Sequence, residues 1–236
     1  MGLVGGTLAV DIGGTGVKAL VLDPHGEPMH ERVRVDTPRP ANPEAIIAAI
    51  MGLAAQCPPY ERVSIGFPGV VAGGVIFTAA NLDGDWIKFP LAREIEVRTE
   101  RMTRVCNDAD MQGLAVVEGQ GVELVLTLGT GLGTALFVDG KLVPNLELAH
   151  HPFRKKQTYE DYVGRSALKH VGEKRWKRRV LKVIEQIQPI WNPRMIYLGG
   201  GNAKKLEADD ELPDNVKVVA NLNGLLGGIR LWDDLA

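Results

Sequence analysis

Three glycine-rich stretches of this chain have the residue types needed to gather backbone amides around an anion. In the first, DIGGTGVK, Gly13 and Gly14 let successive N–H groups turn toward one point, Thr15 adds a hydroxyl and Lys18 a positive charge. Asp11, at the end of the preceding apolar run, is placed to hold a Mg²⁺ ion directly or through water, because that ion takes oxygen ligands and keeps several waters. The second stretch, LGTGLGTA, offers Gly129, Thr130, Gly131 and Gly133 in the same way. In the third, YLGGGNAKKL, Gly199, Gly200 and Gly201 follow an apolar strand and precede an expected helix, whose N-terminus favours a phosphate. Each stretch, taken alone, is equally a tight turn that needs glycine. None is a Walker A loop, since the Gly140–Lys141 pair is followed by Leu142, and none has the full dinucleotide-binding spacing.

The elements that must position these turns repeat. Residues 8–23 read LAVDIGGTGVKALVLD and residues 124–139 read LVLTLGTGLGTALFVD, each an apolar run, a Gly/Thr turn, a second run and a closing Asp. Two halves that both begin with a hairpin are expected, with the hairpin turns facing one another across a cleft. The first half adds strands at 29–35, 62–67 and 102–106, and helices at 43–56, 89–96 and 107–119, the last marked by Asn107 and Asp108 as capping residues. The second adds a strand at 141–144, helices at 158–171 and 174–188, strands at 194–201 and 216–220, and a closing helix near 222–233. This order predicts a mixed-sheet α/β fold in two domains. The expected division is 1–108, completed by the C-terminal helix 222–236, and 109–221.

At these residues the chain resembles the ROK family of sugar kinases and repressors. DIGGTGVK is similar to that family's first phosphate motif, LGTGLGTA to its second and LGGG to its nucleotide-side turn, so the resemblance runs through nearly the whole chain in order. The stretches TPRPANP, PGVVAGGVIFTAANLDGDW, NDAD and LVPNLELAHH resemble most the family's polyphosphate glucokinases. The resemblance implies two actin-like (ribonuclease H-like) domains with a central cleft, a hexose bound in the cleft, and a homodimer. It also implies that the Asp of the NDA motif, Asp108, accepts the proton of the attacking hydroxyl.

A hexose needs carboxylates and amides that bind its hydroxyls in pairs. Asn81, Asn107, Asp108, Glu147 and His150 lie in turns suited to this, and Glu160 in TYEDYVGRSAL matches a family glutamate that binds sugar. As plain structure, Asp108 is a helix cap and Glu160 a solvated helix-start carboxylate. The family's ExGH motif reads ELAH, with Ala149 in place of glycine, which puts the His150 contact in question. The cysteine-rich zinc site of many relatives has no counterpart around His150, and Cys57 and Cys106 read as core residues, so no zinc site is expected.

Composition narrows the partners. The net charge of −2 argues against a general nucleic-acid binder. Charge is nevertheless uneven: residues 154–182 hold eleven Lys and Arg against three acidic residues, out of chain totals of 27 and 29. That segment suits a polyphosphate donor, or equally a solvated helix pair or a dimer face. The apolar run Leu124–Val138 is shorter than the ~20 residues of a membrane span, and the N-terminus lacks a secretory pattern, so a cytoplasmic protein is expected. The function expected is transfer of a phosphoryl group from polyphosphate, ATP or both to the 6-hydroxyl of glucose, with Mg²⁺. An ATP-dependent kinase of mannose, fructose or an N-acetylhexosamine and a catalytically silent sugar-binding protein stay open. A repressor is disfavoured because the first strand begins within ten residues of Met1.

Overall fold

The computed structural model describes residues 5–80, 82–207, 211–219 and 224–233. The chain divides into two compact units, Met1–Ala115 with Asn223–Ala236, and Val116–Leu222. The first division falls after Ala115, past the expected join at 108, because the helix that begins at Asp108 packs on strands of the first unit.

In the first unit, β1 (Thr7–Ile12) pairs antiparallel with β2 (Val17–Leu22), which pairs antiparallel with β3 (Val33–Val35). The third strand is thus shorter than the expected 29–35. On its other side β1 runs parallel to β4 (Arg62–Phe67); a small hairpin of β5 (Val71–Ala72) and β6 (Val75–Ile76) follows, and β7 (Met102–Asn107) completes the order β3-β2-β1-β4-β7. All six residues of β1 are buried, as in a strand covered on both faces. Leu8, Val10 and Ile12 pack with Ile46, Ile50 and Leu53 of α1 (Pro43–Ala54), while Ala9 packs with Leu20, Leu22 and Leu225 on the opposite face. α2 (Leu91–Thr99) and α3 (Asp108–Leu114) complete the unit. The expected C-terminal α-helix is instead two 3₁₀ turns, Leu226–Gly228 and Arg230–Trp232. They are tied to the sheet by Ser64 Oγ donating to the Gly228 carbonyl (2.6 Å) and Trp232 Nε1 donating to Ser64 Oγ (2.8 Å). The Arg62 and Arg104 guanidinium groups stack over the Trp232 ring at 4.9 and 4.6 Å.

The second unit repeats the plan. β8 (Val122–Leu128) and β9 (Leu132–Val138) form its hairpin and β10 (Lys141–Val143) pairs with β9. A second small hairpin, β11 (Pro152–Arg154) and β12 (Gln157–Thr158), leads into α4 (Tyr159–Val163), α5 (Arg165–Val171) and α6 (Glu173–Trp191). The single helix expected over 158–171 is broken at Gly164, which caps α4 and starts α5 with ψ near 173°. β13 (Met195–Gly199) and β14 (Val216–Val218) lie parallel to β8, giving the order β10-β9-β8-β13-β14. Trp176, Val180, Val183, Ile184 and Ile187 form the buried stripe of α6, at the spacing of one helix face. The strand leading into this hairpin is anchored by Glu123, wholly buried, which accepts from the N–H groups of Glu118, Gly119 and Gln120 and from the Tyr197 hydroxyl at 2.7–3.1 Å. Among the described residues no helix is long and apolar enough to cross a membrane.

Candidate active site

The first glycine turn is held from behind by side chains. Gly13 N–H donates to the Gly16 carbonyl (3.0 Å), Thr37 Oγ1 donates to the Gly13 carbonyl, and Arg39 and Arg34 donate to the carbonyls of Gly14 (2.9 Å) and Thr15 (3.1 Å). Every carbonyl of the turn is therefore engaged, while among the described residues the N–H groups of Gly14 and Thr15 have no acceptor. A turn so arranged has donors to give an anion. The two guanidinium groups were missed from sequence; Arg39 sits in the TPRPANP stretch, but nothing local says that it reaches Gly14.

Asp11 and Lys18 face each other across the β1–β2 ladder, and Lys18 Nζ lies 2.8 Å from Asp11 Oδ2. The lysine expected to meet a phosphate is thus the partner of the buried carboxylate. Among the described residues no three His, Cys, Asp or Glu side chains form a metal cluster. A single carboxylate beside a turn with two N–H groups to give an anion nevertheless fits Mg²⁺, which is commonly held by one or two carboxylates and a substrate's own phosphates.

Asp108 begins α3 at the end of β7. Asn107, in extended conformation, accepts from the N–H groups of Ala109 (2.8 Å) and Asp110 (3.3 Å) and donates to the Gly69 carbonyl (3.2 Å). Asn107 is thereby a cap and a clamp on the loop after β4. Asp108 Oδ1 accepts from Ala109 N–H at 2.8 Å. Ladder registers put Asp11 beside Gly66 and Gly66 beside Cys106, so Asp11 and the start of α3 share the carboxyl edge of one sheet, two strand spacings or ~10 Å apart. Gly66 makes this possible: a Cβ there would lie 3.2 Å from the Asp108 Cα and 2.8 Å from the end of Met111. Burial, with Asp110 and Asp108 adding, pushes the Cys106 thiol well above its usual range against an opposing hydrogen bond from Met111.

In the second unit the turn is Gly129–Gly131. Gly129 N–H donates to the Gly131 carbonyl (3.1 Å), and Asn202 Nδ2 and Arg165 N–H donate to the carbonyls of Gly129 and Thr130, each at 3.0 Å. Gly133 lies inside β9, paired with Thr127, and not in the turn. Glu160 reaches the turn from α4: its Oε2 accepts from Leu132 N–H at 3.1 Å and occupies the space a Cβ at Gly131 would fill, 1.8 Å away. It is therefore a brace of the turn and not merely a solvated carboxylate at a helix start. Gly199 pairs with Thr127 at the same edge, and Gly200, with φ at 83°, lies so close to Leu128 that a Cβ would approach its backbone to 2.7 Å. The expected helix after these glycines is a 3₁₀ turn, Ala203–Leu206, so Gly201 does not open an α-helix there.

Glu147 precedes and His150 ends a 3₁₀ turn, Leu148–His150, with Glu147 Oε2 3.7 Å from His150 Nε2. Ala149 is buried in the unit's core, so its methyl group faces inward and the Glu147–His150 approach survives the loss of the family's glycine. Burial raises the Glu147 carboxyl above its usual range; Glu160 adds to the rise and His150 opposes it, which places the three residues within one electrostatic neighbourhood. Asn81 lies outside the described residues.

The ROK family's sequence pattern matches residues 7–146. The polyphosphate glucokinase of Mycobacterium leprae is 31% identical over 236 residues, covering 92% of this chain and 72% of that protein. Among solved structures, an inorganic polyphosphate/ATP-glucomannokinase from Arthrobacter sp. strain KM matches with a TM-score of 0.87 at 30% identity, over 96% of this chain and 98% of that one. A ROK family glucokinase from Streptomyces griseus, solved in complex with glucose and AMPPNP, matches with a TM-score of 0.75 at 22% identity over 96% of this chain and 99% of that one. The two units are thus actin-like domains.

Proposed function

Because the chain belongs to the ROK family, whose kinases phosphorylate sugars, we propose that it transfers a phosphoryl group from polyphosphate or ATP to the 6-hydroxyl of glucose. The observation that carries this reading is Asp108, set by the Asn107 cap at the same sheet edge as Asp11 and the first glycine turn. Phosphoryl transfer asks for alignment and charge neutralisation more than for covalent chemistry. The Gly14 and Thr15 amides would bind donor oxygens, and Asp11 would hold Mg²⁺, which supplies charge neutralisation when bound. Asp108 would accept the hydroxyl proton as the sugar oxygen bonds to the transferred phosphorus and the bridging P–O bond of the donor breaks, leaving ADP or a polyphosphate one unit shorter. Glu147, His150 and Glu160 would bind sugar hydroxyls, and Gly129–Gly131 and Gly199–Gly201 further donor oxygens.

The name of the Arthrobacter relative sets mannose beside glucose, so mannose is the second acceptor to assay. The test is initial-rate kinetics with each sugar and each donor. Asp108→Asn retains the oxygen that accepts from Ala109 N–H and should fold normally, while turnover falls by ~10² or more with the sugar KM little changed. Near-normal turnover in this variant removes Asp108 as the base.

A further inference from the structure

α6 and the β11–β12 hairpin line an open cavity of about 520 Å³, whose walls carry Arg154, Lys155, Arg175, Arg178 and Arg179. Tyr162 and Gln157 complete the lining, which includes no carboxylate. Among the described residues none of the five cations forms an ion pair.

The chain accepts three local penalties to build this site. Arg175 stands three and four residues before Arg178 and Arg179, so like charges share one helix face. Arg175 also lies in the first turn of α6, where the helix dipole disfavours a cation. Across the cavity, the turn between the paired residues Arg154 and Gln157 is Lys155–Lys156, with φ values of 51° and 63°, a conformation that favours Asn-Gly and disfavours lysine. A bound polyanion relieves the first two penalties and gives a reason for the third.

We infer that this cavity binds linear polyphosphate away from the second glycine turn, holding the trailing part of a long donor chain. The choice of ligand rests on the donor reading above. It is favoured over a nucleic acid because the one aromatic ring of the cavity is covered: the guanidinium groups of Arg179 and Arg154 lie 4.5 and 5.9 Å from the Tyr162 centroid, so its face is not offered to a base. The site is also close to the second glycine turn. α4 carries Glu160 to that turn and Tyr162 into the cavity, and residues two apart on a helix face opposite ways, so about one helix diameter, ~10 Å, separates the two. A long chain can span both places; a short one held at the turn cannot.

The experiment compares wild type with Arg175→Gln/Arg178→Gln, two exposed helix positions where glutamine is a good helix former. Long-chain polyphosphate binding is followed by calorimetry across a salt series, with kinetics on long-chain polyphosphate, tripolyphosphate and ATP. The expected result is a roughly tenfold weaker affinity and higher KM for the long chain, and a log–log salt slope smaller by about 1.4, with tripolyphosphate and ATP kinetics unchanged. A second variant, Lys155→Asn/Lys156→Gly, should melt higher than wild type yet also bind the long chain more weakly, which separates binding from folding. If wild type binds and uses the long chain but both variants match it, the cavity proposal is overturned and the donor reading stands. If wild type turns over only ATP while binding the long chain through these residues, the donor reading fails and the cavity proposal stands. Absence of binding by wild type, or tighter binding of a single-stranded oligonucleotide than of polyphosphate, overturns the cavity proposal.

Discussion

Replacing Gly131 by alanine tests whether Glu160 braces the second glycine turn. The φ of Gly131 is outside the left-handed region, so alanine adds no backbone strain and the whole effect comes from its methyl group. That group would lie 1.8 Å from Glu160 Oε2 and 2.7 Å from its carboxyl carbon, so the carboxylate must leave. What is lost is its hydrogen bond from Leu132 N–H, 3.1 Å long, at a residue only 4% exposed. A hydrogen bond to a charged group contributes ~1.5–3 kcal/mol, and because Glu160 is half-exposed the low end, ~1.5 kcal/mol, is expected. Glu160→Ala removes the same bond and should cost about as much. In the double variant the methyl group occupies the vacated space, so its cost should again be ~1.5 kcal/mol, a coupling of about −1.5 kcal/mol. Urea unfolding followed by circular dichroism measures all three, and each variant should melt ~3–6 °C below wild type. Costs that add in the double variant, to about 3 kcal/mol, would refute the brace.

Gly200→Ala combines a φ of 83° with an approach of 2.7 Å to the Leu128 backbone, which cannot rotate away; a loss of ~3 kcal/mol or more and a melting point lower by ~6–12 °C are expected in a thermal scan. Burial raises the Glu123 carboxyl, but hydrogen bonds from Glu118, Tyr197, Gln120 and Gly119 outweigh it and hold the group below its usual range. Its contribution is therefore complete above the unfolded-state pKa and disappears as pH falls through the folded-state value; Glu123→Gln should cost ~2 kcal/mol near neutrality and flatten the acid limb of a stability–pH curve. Because the Cys106 thiol is held protonated by burial and by Asp110 and Asp108, its alkylation near pH 8 should be slow in the folded protein and fast in urea, whereas equal rates would contradict the packing around α3.

What the sequence by itself determined is the part governed by neighbours along the chain. Alternating and continuous apolar runs specify β1, β2, β8 and β9, glycines specify their turns, and Asn107 specifies the start of α3 because its side chain meets amides two and three residues ahead. The pairing of Lys18 with Asp11 follows from the hairpin register, although the sequence left the lysine equally free to meet a phosphate. Only the tertiary structure brought Glu160 to Leu132, Arg39 to Gly14 and Ser64 to Gly228, since the partners stand 28, 25 and 164 positions apart and no local preference encodes such meetings. It also decided against α-helices after Gly201 and near the C-terminus. The Leu226–Gly228 segment packs against β1, β4 and α3, and such contacts outweigh the small free-energy differences that separate one short backbone conformation from another.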